Sequence, residues 1–451
     1  MPFAKLAAAR VAILGFGREG RAALAVLRQR CPRLLITVIE EGKLAPQLDD
    51  DDDLLHIVNR QLSVEELLGF DYLIKAPGIS CYRPDLVAAR AGGLQVTSLT
   101  SLWLSEPHTA ITIGVTGTKG KSTTATLLRD LLVSTGAHAV LRGNVGRPLF
   151  DPQEPESHAN FVVIELSSYQ VADLEGSLDH AVLTNLEPEH LDWHGSEERY
   201  FEDKLKITNL TQSVYANADC RRLRERLKDK KHVRWFGAGH QLRPTAQGVM
   251  CGDKLLISDA KMKTVGYHNL VNACASLAVA FDLGVSPELA KSVAENFQPL
   301  AHRLESLGEI EGRLIVNDSM ASTPLATMAA MRAFDGRPLH VIVGGADRGL
   351  DLAEFIEFLV NVDGPCAIHL VGDFGLRLQR SLSATDGSHS VRVQSAASQE
   401  AAVDACWAES RPGDVILLSP GAPSFDCFRD FAARGAAFGK SISRHAPNAA
   451  S

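Results

Sequence analysis

The sequence predicts an α/β protein made of three domains with parallel sheets. Short apolar runs typical of strands alternate with helical patterns along nearly the whole chain, as in βαβ units. The pattern breaks at residues 105–108, before a glycine-rich turn, and at 298–300, after a helical stretch. The 451 residues, 45% of them hydrophobic, suffice for a sizeable core in each domain. We therefore expect domains over residues 1–104, 105–299 and 300–451.

The strand predictions rest on runs of β-branched and other apolar residues bounded by turn-forming residues. In chain order, the predicted strands are residues 11–14, 34–39, 72–75, 111–115, 161–164, 181–184, 339–343, 367–371 and 415–418.

Composition excludes several classes of protein. The net charge of −8 does not favour nucleic-acid binding, and no window approaches the roughly 18 consecutive apolar residues that a membrane span needs. The first five residues lack the apolar core of a signal peptide, so we expect a cytoplasmic protein without membrane insertion. Eight cysteines without any C-x-x-C pair indicate reduced thiols and not disulfides or zinc.

In the first domain, the turn Gly15-Phe16-Gly17-Arg18-Glu19-Gly20 follows a strand and precedes a helix. This G-x-G-x-x-G pattern predicts a pyrophosphate site, which suits a dinucleotide cofactor as well as a UDP-sugar. A second turn at residues 75–80, containing Gly78, ends another strand and would complete the pocket. Glu40 closes the next strand, where it would contact the ligand or cap local backbone.

In the middle domain, residues 114–124 form a glycine-rich turn between a strand and an amphipathic helix. Gly117 and Gly120 let backbone N–H groups approach phosphate oxygens, Lys121 can reach the terminal phosphates, and the Ser122 hydroxyl can hold Mg²⁺. Val115 occupies the place of the first glycine in the usual seven-residue form. A glycine-rich loop without phosphate is the simpler alternative.

Four further side chains of this domain bear on its chemistry. Glu165 ends an apolar strand, where its carboxylate would either bind Mg²⁺ or serve as a negative charge at a helix N-terminus. His190 and His194 lack a nearby third ligand for zinc. Lys204 lies on a predicted helix over 200–206 and, taken alone, would be a surface lysine.

Together these motifs resemble the Mur ligases of peptidoglycan synthesis. The resemblance rests on Thr-Gly-Thr-x-Gly-Lys-Ser, on Glu-Leu-Ser-Ser-Tyr-Gln and on Asn-Leu-x-Pro-Glu-His-Leu-Asp, at residues 116–122, 165–170 and 185–192. It extends through residues 143–146, 267–273, 302–305, 317–319 and 418–420. It implies a Rossmann-like first domain for the UDP-sugar, a central P-loop ATPase-like domain and a C-terminal Rossmann-like α/β domain for glutamate.

The resemblance also implies an activity. The short Rossmann-like first domain is similar to that of the glutamate-adding branch of the family. Members of that branch use ATP to activate the carboxylate of UDP-N-acetylmuramoyl-L-alanine as an acyl phosphate. The glutamate amine then forms an amide, releasing ADP and phosphate. The expected setting is cell-wall synthesis, and with it cell shape and division.

By the same resemblance, the site residues fall into five groups. Catalytic roles are implied for Lys121, Asn144, His190 and Lys204. ATP would be bound by Gly117, Thr118, Lys119, Gly120, Lys121, Ser122, Thr123, His268, Asn269, Asn272, Arg303 and Asp318. The UDP-sugar would be bound by Gly15, Phe16, Gly17, Arg18, Glu40, Gly78, Asn144, Ser167 and Gln170. Two Mg²⁺ ions would be held by Ser122, Glu165, His190 and a carbamylated Lys204. Glutamate would be bound by Met320, Ser322, Thr323, Arg348, Ser424, Phe425 and Phe431.

Carbamylation of Lys204 makes chemical sense, because CO₂ converts a neutral amine into a carboxylate-like anion that Mg²⁺ accepts.

The sequence departs from the common D-glutamate-adding enzymes in the last domain. Met320 replaces a lysine, Arg348 replaces another lysine, and residues 421–426 read Gly-Ala-Pro-Ser-Phe-Asp. These changes resemble a branch that adds L-glutamate and relies on a separate epimerase. Neutral drift in a D-glutamate enzyme is the alternative, since Arg and Lys both bind carboxylates.

Two other classes remain as alternatives. A folylpolyglutamate synthase shares the phosphate loop but has no Rossmann-like domain before it, whereas about a hundred residues precede it here. A non-catalytic nucleotide-binding regulator would leave Glu165, His190 and Lys204 without a role. We expect a monomer.

Overall fold

The computed structural model describes residues 3–41, 52–264, 266–298, 300–362, 364, 366–384 and 391–445. The chain divides into two compact units, Met1–Lys261 with His268–Asn296, and Met262–Tyr267 with Phe297–Ser451. The first unit contains both sheets that the sequence assigns to the first two domains. The boundaries of the three domains therefore stay a prediction.

The first sheet of the first unit is parallel and five-stranded, in the order β3-β2-β1-β4-β5. Its strands are β1 Val11–Leu14, β2 Ile36–Ile39, β3 Leu55–Val58, β4 Tyr72–Lys75 and β5 Gln95–Thr97. The helices that connect and follow them are α1 Arg18–Arg30, α2 Val64–Leu67, α3 Pro84–Ala91 and α4 Leu99–Leu104.

The second sheet of this unit is parallel and six-stranded, in the order β11-β10-β9-β6-β8-β7. Its strands are β6 Ile111–Thr116, β7 Ala139–Gly143, β8 Phe161–Glu165, β9 Leu178–Leu183, β10 Thr211–Asn217 and β11 Val233–Phe236. Its helices are α5 Lys121–Val133, α6 Ser168–Ala172, α7 Leu191–His194, α8 Glu197–Leu205, α9 Arg221–Leu227, α10 Tyr267–Asp282 and α11 Pro287–Asn296. A small antiparallel sheet contains β12 Leu242–Thr245, β13 Gly248–Cys251 and β14 Lys254–Ser258.

The second unit has one six-stranded sheet in the order β15-β16-β20-β17-β18-β19, with β15 antiparallel to its neighbour and the other pairs parallel. Its strands are β15 Glu305–Ile310, β16 Arg313–Asn317, β17 Leu339–Gly344, β18 Cys366–Val371, β19 Val391–Ser395 and β20 Val415–Leu418. Its helices are α12 Pro324–Arg332, α13 Ala353–Val360, α14 Gly372–Ser383, α15 Gln399–Glu409 and α16 Phe431–Ser443.

These sheets confirm the predicted α/β class, with two corrections to predicted strands. The strand predicted from Leu34 begins at Ile36, because the Leu34 N–H donates to the Cys31 carbonyl in a turn at 3.0 Å. The strand predicted over 181–184 begins earlier, at Leu178, and ends at Leu183. None of the helices in the described part of the chain is long and apolar enough to cross a membrane.

Candidate active site

The glycine-rich loop joins β6 to α5 in a conformation that requires its glycines. Gly117 has φ +148° and Gly120 has φ +83°, both in the region that favours glycine. A Cβ on Gly117 would lie 1.9 Å from Thr184 Oγ1, and one on Gly120 would lie 2.2 Å from Asn272 Oδ1. The loop therefore presents bare backbone at the start of a helix, as an anion site needs.

Two side chains hold this loop in shape. Lys121 Nζ donates to the carbonyls of Gly117 at 3.0 Å and Thr118 at 2.8 Å. The Thr118 hydroxyl bonds the Glu187 carbonyl at 2.9 Å and lies 2.8 Å from the Tyr200 hydroxyl. The Lys121 ammonium thus lies at the loop itself, where it can meet a phosphate.

A cavity of about 280 Å³ opens beside the loop. Its lining contains Pro77, Gly78, Lys121, Asn144, Ser167, Ser168, Tyr169, Glu189, His190, Tyr200 and Lys204. All four residues for which the sequence implies a catalytic role are among them. Because segments from both sheets of the first unit contribute, the cavity lies where two predicted sites meet.

Lys204 is not a surface lysine: only 1% of it is exposed. Its Nζ donates to the Gly117 carbonyl at 2.9 Å, which ties α8 to the phosphate loop. Burial, reinforced by the nearby Lys121 ammonium, holds the pKa of Lys204 well below its usual range. Burial therefore disfavours the charged form of this amine.

Glu165 is bonded to Asn144, which lines the cavity. Asn144 Nδ2 donates to Glu165 Oε1 at 2.8 Å, and the Asn144 N–H donates to the Glu165 carbonyl at 2.9 Å. Glu165 Oε2 is buried and has no hydrogen-bond partner among the residues that the structure describes. A buried carboxylate oxygen without a donor suits a cation.

His190 and Glu189 enclose another side of the cavity. His190 has φ +57°, and its ring centroid lies 4.9 Å from that of Tyr169. Burial lowers the pKa of His190 to about 4, so the imidazole is neutral and able to bind a metal. Lys119 Nζ donates to Glu189 Oε1 at 2.6 Å. Although burial acts to raise the Glu189 pKa, Lys119, His190 and Lys121 together lower it to about 2.

His194 has a different role. Its Nδ1 lies 2.6 Å from Asp203 Oδ2, and its Nε2 lies 3.0 Å from Ser168 Oγ. Both ring nitrogens are engaged, so His194 does not form a metal pair with His190. This agrees with the sequence argument against a zinc site.

The residues predicted to bind the UDP-sugar are brought together only in part. Gly78, Asn144 and Ser167 line the cavity, while Gly15, Phe16, Gly17, Arg18, Glu40 and Gln170 are outside its lining.

Arg18 nevertheless ties the first glycine turn to the loop of Asn144. Its guanidinium donates to the carbonyls of Gly143 at 2.7 Å and Asn144 at 2.9 Å. The Phe16 N–H donates to Glu40 Oε2 at 2.8 Å, so Glu40 caps local backbone as the sequence alternative proposed.

Ser167 and Gln170 also have local partners. Ser167 Oγ accepts from the Gln170 N–H at 3.2 Å, and the Ser167 N–H donates to Gln170 Oε1 at 2.8 Å, which caps α6 at both groups. Gln170 Nε2 also donates to Glu19 Oε1 at 2.6 Å. Sugar binding by these two residues stays a prediction.

The first turns of α10 contain three more residues that are predicted to bind ATP. Asn272, close to Gly120, donates from Nδ2 to Asn269 Oδ1 at 3.2 Å, and both residues are buried. His268 precedes them on the exposed side of the helix. Asn269 and Asn272 thus lie near the phosphate loop, as the prediction requires.

In the second unit, Asp318 accepts two hydrogen bonds. Leu304 N–H donates to Oδ1 at 3.1 Å, and Ser419 Oγ donates to Oδ2 at 2.8 Å. Burial raises the pKa of Asp318 to about 7. An Arg303 guanidinium nitrogen lies 3.9 Å from Met320 Sδ, so a cation lies beside one of the residues predicted to bind glutamate.

The other predicted glutamate residues have varied environments. Thr323 caps α12 by accepting from the Ala326 N–H at 3.4 Å, with Ser322 half-buried beside it. Ser424 is buried, whereas Phe425 is 69% exposed, and Phe431 and Arg348 are also exposed. Their role stays a prediction.

Sequence reasoning missed Arg434, a buried guanidinium on α16. Its NH1 donates to the Ala422 carbonyl at 3.0 Å, and its NH2 donates to the Ser319 carbonyl at 2.8 Å. Arg434 therefore joins two loops, which contain five of the seven residues predicted to bind glutamate: Met320, Ser322, Thr323, Ser424 and Phe425. Its surroundings in sequence read as an ordinary helix surface, so no local signal marks it. Glu189, which lines the cavity, was also missed, although its position directly before His190 in the sequence could have indicated it.

Comparison with known proteins decides the family. Residues 115–280 match the Mur ligase middle domain, and residues 302–421 match the Mur ligase, glutamate ligase domain. The UDP-N-acetylmuramoyl-L-alanine--L-glutamate ligase of Xanthomonas euvesicatoria pv. vesicatoria (strain 85-10) is 38% identical over 451 residues, covering 97% of this chain and 96% of its own. The chain belongs to the Mur ligase family.

Other Mur ligases agree. A protein of the same name from Micromonospora sp. (strain ATCC 39149) is 38% identical, covering 96% of each chain. Among solved structures, UDP-N-acetylmuramate-alanine ligase from Thermotoga maritima matches with a TM-score of 0.61 at 18% identity, covering 97% of this chain and 100% of its own. The MurF ligase of the same organism, in complex with ADP, matches with a TM-score of 0.58 at 17% identity, covering 97% and 95%. These two structures show the fold alone, and they confirm the predicted Mur ligase architecture.

Proposed function

We propose that this Mur ligase joins L-glutamate to UDP-N-acetylmuramoyl-L-alanine at the expense of ATP, through an acyl phosphate, in the synthesis of peptidoglycan precursors. The family consists of ATP-dependent ligases, and full-length relatives carry the name of this reaction. The observation that carries the proposal is the cavity beside the phosphate loop, where Lys121, Asn144, His190 and Lys204 meet.

The potential ligands in this cavity and next to it fit Mg²⁺. Glu165 supplies a buried carboxylate oxygen without a hydrogen bond from any described residue, and His190 supplies a neutral imidazole. We infer that Ser122 and Glu165 hold one ion, and that His190 and a carbamylated Lys204 hold a second. Bound there, Mg²⁺ would offset negative charge on the transferring phosphoryl group.

The surroundings of Lys204 support its carbamylation. A buried neutral amine can attack CO₂, giving a carbamate and releasing one proton. The product is an anion that can bind a hard cation, whereas the ammonium form would repel it. The nearby Lys121 ammonium would be paired with this anion instead of facing a second cation.

The remaining steps follow from the protein's own groups. Backbone N–H groups of residues 117–120 and the Lys121 ammonium would hold the phosphates of ATP, so that the substrate carboxylate attacks the γ-phosphorus. Asn144 would orient a phosphoryl oxygen. The small cavity would limit the access of water to the acyl phosphate until the glutamate amine displaces phosphate.

Selection of the L isomer is assigned to Met320, Arg348 and the turn at residues 421–425. Inverting the α-carbon while the amine still faces the acyl phosphate moves at least one glutamate carboxylate. Its cation must then move as well. Replacing a lysine at position 320 with methionine and placing a guanidinium at 348 changes where that cation can be.

The proposal also covers the domain organisation. The domain of residues 1–104 would bind the UDP-sugar, that of residues 105–299 would bind ATP, and that of residues 300–451 would bind glutamate. The enzyme would act as a cytoplasmic monomer, and a separate epimerase would invert the added L-glutamate.

The decisive experiment measures phosphate release from ATP with UDP-N-acetylmuramoyl-L-alanine and either glutamate isomer, with Lys121→Ala as the inactive control. We expect turnover with L-glutamate at least a hundredfold above that with D-glutamate. Turnover with D-glutamate alone would refute the stereochemical part and leave the ligase assignment in place. No turnover with either isomer, although ATP binds, would favour the nucleotide-binding regulator.

A further inference from the structure

Three potential metal ligands meet inside the second unit, apart from the residues proposed to bind ATP, Mg²⁺ or glutamate. His340 lies on β17, His369 on the neighbouring strand β18, and Glu409 at the end of α15. One ligand atom from each lies within 4.8 Å of the others. Both histidines are buried and their rings stack with centroids 6.2 Å apart.

The polar atoms of this cluster lack the hydrogen bonds that buried groups normally make. His340 Nδ1, both ring nitrogens of His369 and Glu409 Oε2 have no hydrogen-bond partner within the described ranges. Arg392, at 3.6 Å from Glu409 Oε2, is the cation that approaches the carboxylate. Buried polar atoms left in this condition are rare in native proteins and call for a ligand or another explanation.

The second nitrogen of His340 has a partner that favours metal binding by the first. His340 Nε2 lies 3.3 Å from Asp414 Oδ2. If Nε2 carries the proton and donates it to this carboxylate, Nδ1 is left with a lone pair. A carboxylate that orients a histidine in this way is the usual support of a metal-binding imidazole.

The types of ligand also suit a metal. A set of two imidazoles and one carboxylate is typical of Zn²⁺ sites, whereas Mg²⁺ sites consist mainly of oxygen ligands.

We propose that His340, His369 and Glu409 bind a Zn²⁺ ion between the sheet and α15 of the second unit. Zinc bonds of about 2.0–2.2 Å would place the ligand atoms about 3.4 Å apart in a tetrahedron. The three side chains therefore close by about 1 Å on binding, and water fills the fourth position. The ion links two strands to a helix, so its main effect is to stabilise this unit.

The test uses the full-length, untagged chain after dialysis against a chelator. Co²⁺ and Zn²⁺ are titrated separately, with Co²⁺ followed by its visible absorption, Zn²⁺ by calorimetry, and bound metal counted by elemental analysis. We expect one tightly bound ion per chain, retained in millimolar Mg²⁺, and a thermal unfolding temperature that rises with Zn²⁺.

His369→Leu should lose the absorption and at least a hundredfold in Zn²⁺ affinity. The apo variant should stay folded, because leucine removes two buried nitrogens that lack partners. His445→Asn is the matched control. His445 bonds to Asp404 on α15, the helix that carries Glu409, but it lies outside the cluster. It should bind zinc as the unaltered chain does.

Two results would overturn the proposal. One is the absence of stoichiometric Zn²⁺ or Co²⁺ binding by the unaltered chain. The other is equal binding by the His369→Leu and unaltered chains, which would place the metal elsewhere.

Discussion

The Lys204 side chain combines three properties that bear on the proposed chemistry of the cavity. Its amine is buried, it donates to the carbonyl of a phosphate-loop glycine, and its pKa is lowered by burial. Among the described residues, no carboxylate forms an ion pair with this amine, and Glu189 and Glu165 act on it only from a longer distance. A buried ammonium without a direct counter-ion is costly, whereas a neutral amine is not.

We expect Lys204→Ala to lower kcat at least a hundredfold, because the second Mg²⁺ would lose a ligand. Acetate or formate should restore part of the activity by supplying a carboxylate in the vacated space. Lys206→Ala is the matched control, since Lys206 also donates to a backbone carbonyl, that of Ala172, but does not line the cavity. Nearly full activity of Lys204→Ala would show that the lysine is structural.

Asp318 should make the second unit sensitive to pH. Burial raises its pKa from the ordinary value of 3.8 to about 7, so the folded chain holds this proton more tightly than the unfolded chain. The stabilisation is complete below about pH 4 and is lost as the pH rises through about 7.

Asp318→Asn should therefore remove part of this dependence. Between pH 4 and pH 7, the free energy of unfolding of the unaltered chain should fall relative to the variant, by a few kcal/mol in order of magnitude. Urea unfolding at both pH values measures this difference. Parallel curves for the two chains would contradict the raised pKa.

At the scale of elements, the conformation of the phosphate loop depends on Gly120. Gly120→Ala places a Cβ against Asn272 and forces alanine to φ +83°. Gly136, at the other end of α5, provides a matched control because its φ is +86° and nothing surrounds its would-be Cβ.

Both alanine substitutions should cost about 1–2 kcal/mol of stability from backbone strain. Gly120→Ala should in addition weaken ATP binding at least tenfold, as measured by calorimetry. Equal ATP affinity in the two variants would show that the loop tolerates the clash.

The elements also show what the sequence can and cannot predict. The loop from β6 to α5 was predictable, because its glycines and Lys121 lie close together in the chain. Edge strand β3 was not predicted, since its residues are half-buried or exposed and the apolar signal is weak. Arg434 was not predicted either, because its partners at residues 319 and 422 are distant in sequence and meet it only in the fold.

On the scale of the whole molecule, the two larger sheets of the first unit are joined by a buried ion pair. Lys75 ends β4 of the five-stranded sheet, and its Nζ lies 2.6 Å from Asp173 Oδ2, which follows α6 beside the six-stranded sheet. The same amine donates to the Ile79 carbonyl at 2.6 Å and so fixes the turn that carries Gly78 into the cavity lining.

Lys75→Met should therefore affect both stability and substrate binding. It leaves the Asp173 carboxylate buried, and among the described residues its remaining ion-pair partner is Arg90 at 3.7 Å, so the free energy of unfolding should fall by about 3–5 kcal/mol. The KM for UDP-N-acetylmuramoyl-L-alanine should rise, because the turn of Gly78 loses its support. Denaturant unfolding and steady-state kinetics measure the two effects.

The double variant Lys75→Met/Asp173→Leu separates charge from packing, because it removes both members of the pair. It should recover most of the lost stability, since no unpaired charge stays buried, while the raised KM should persist because the bond to Ile79 is still missing. Arg10→Met is the exposed control: the Arg10 and Asp71 side chains are 62% and 43% exposed, so breaking that pair should lower the free energy of unfolding far less than Lys75→Met does. If Lys75→Met costs no more than Arg10→Met, the buried pair does not join the two sheets energetically.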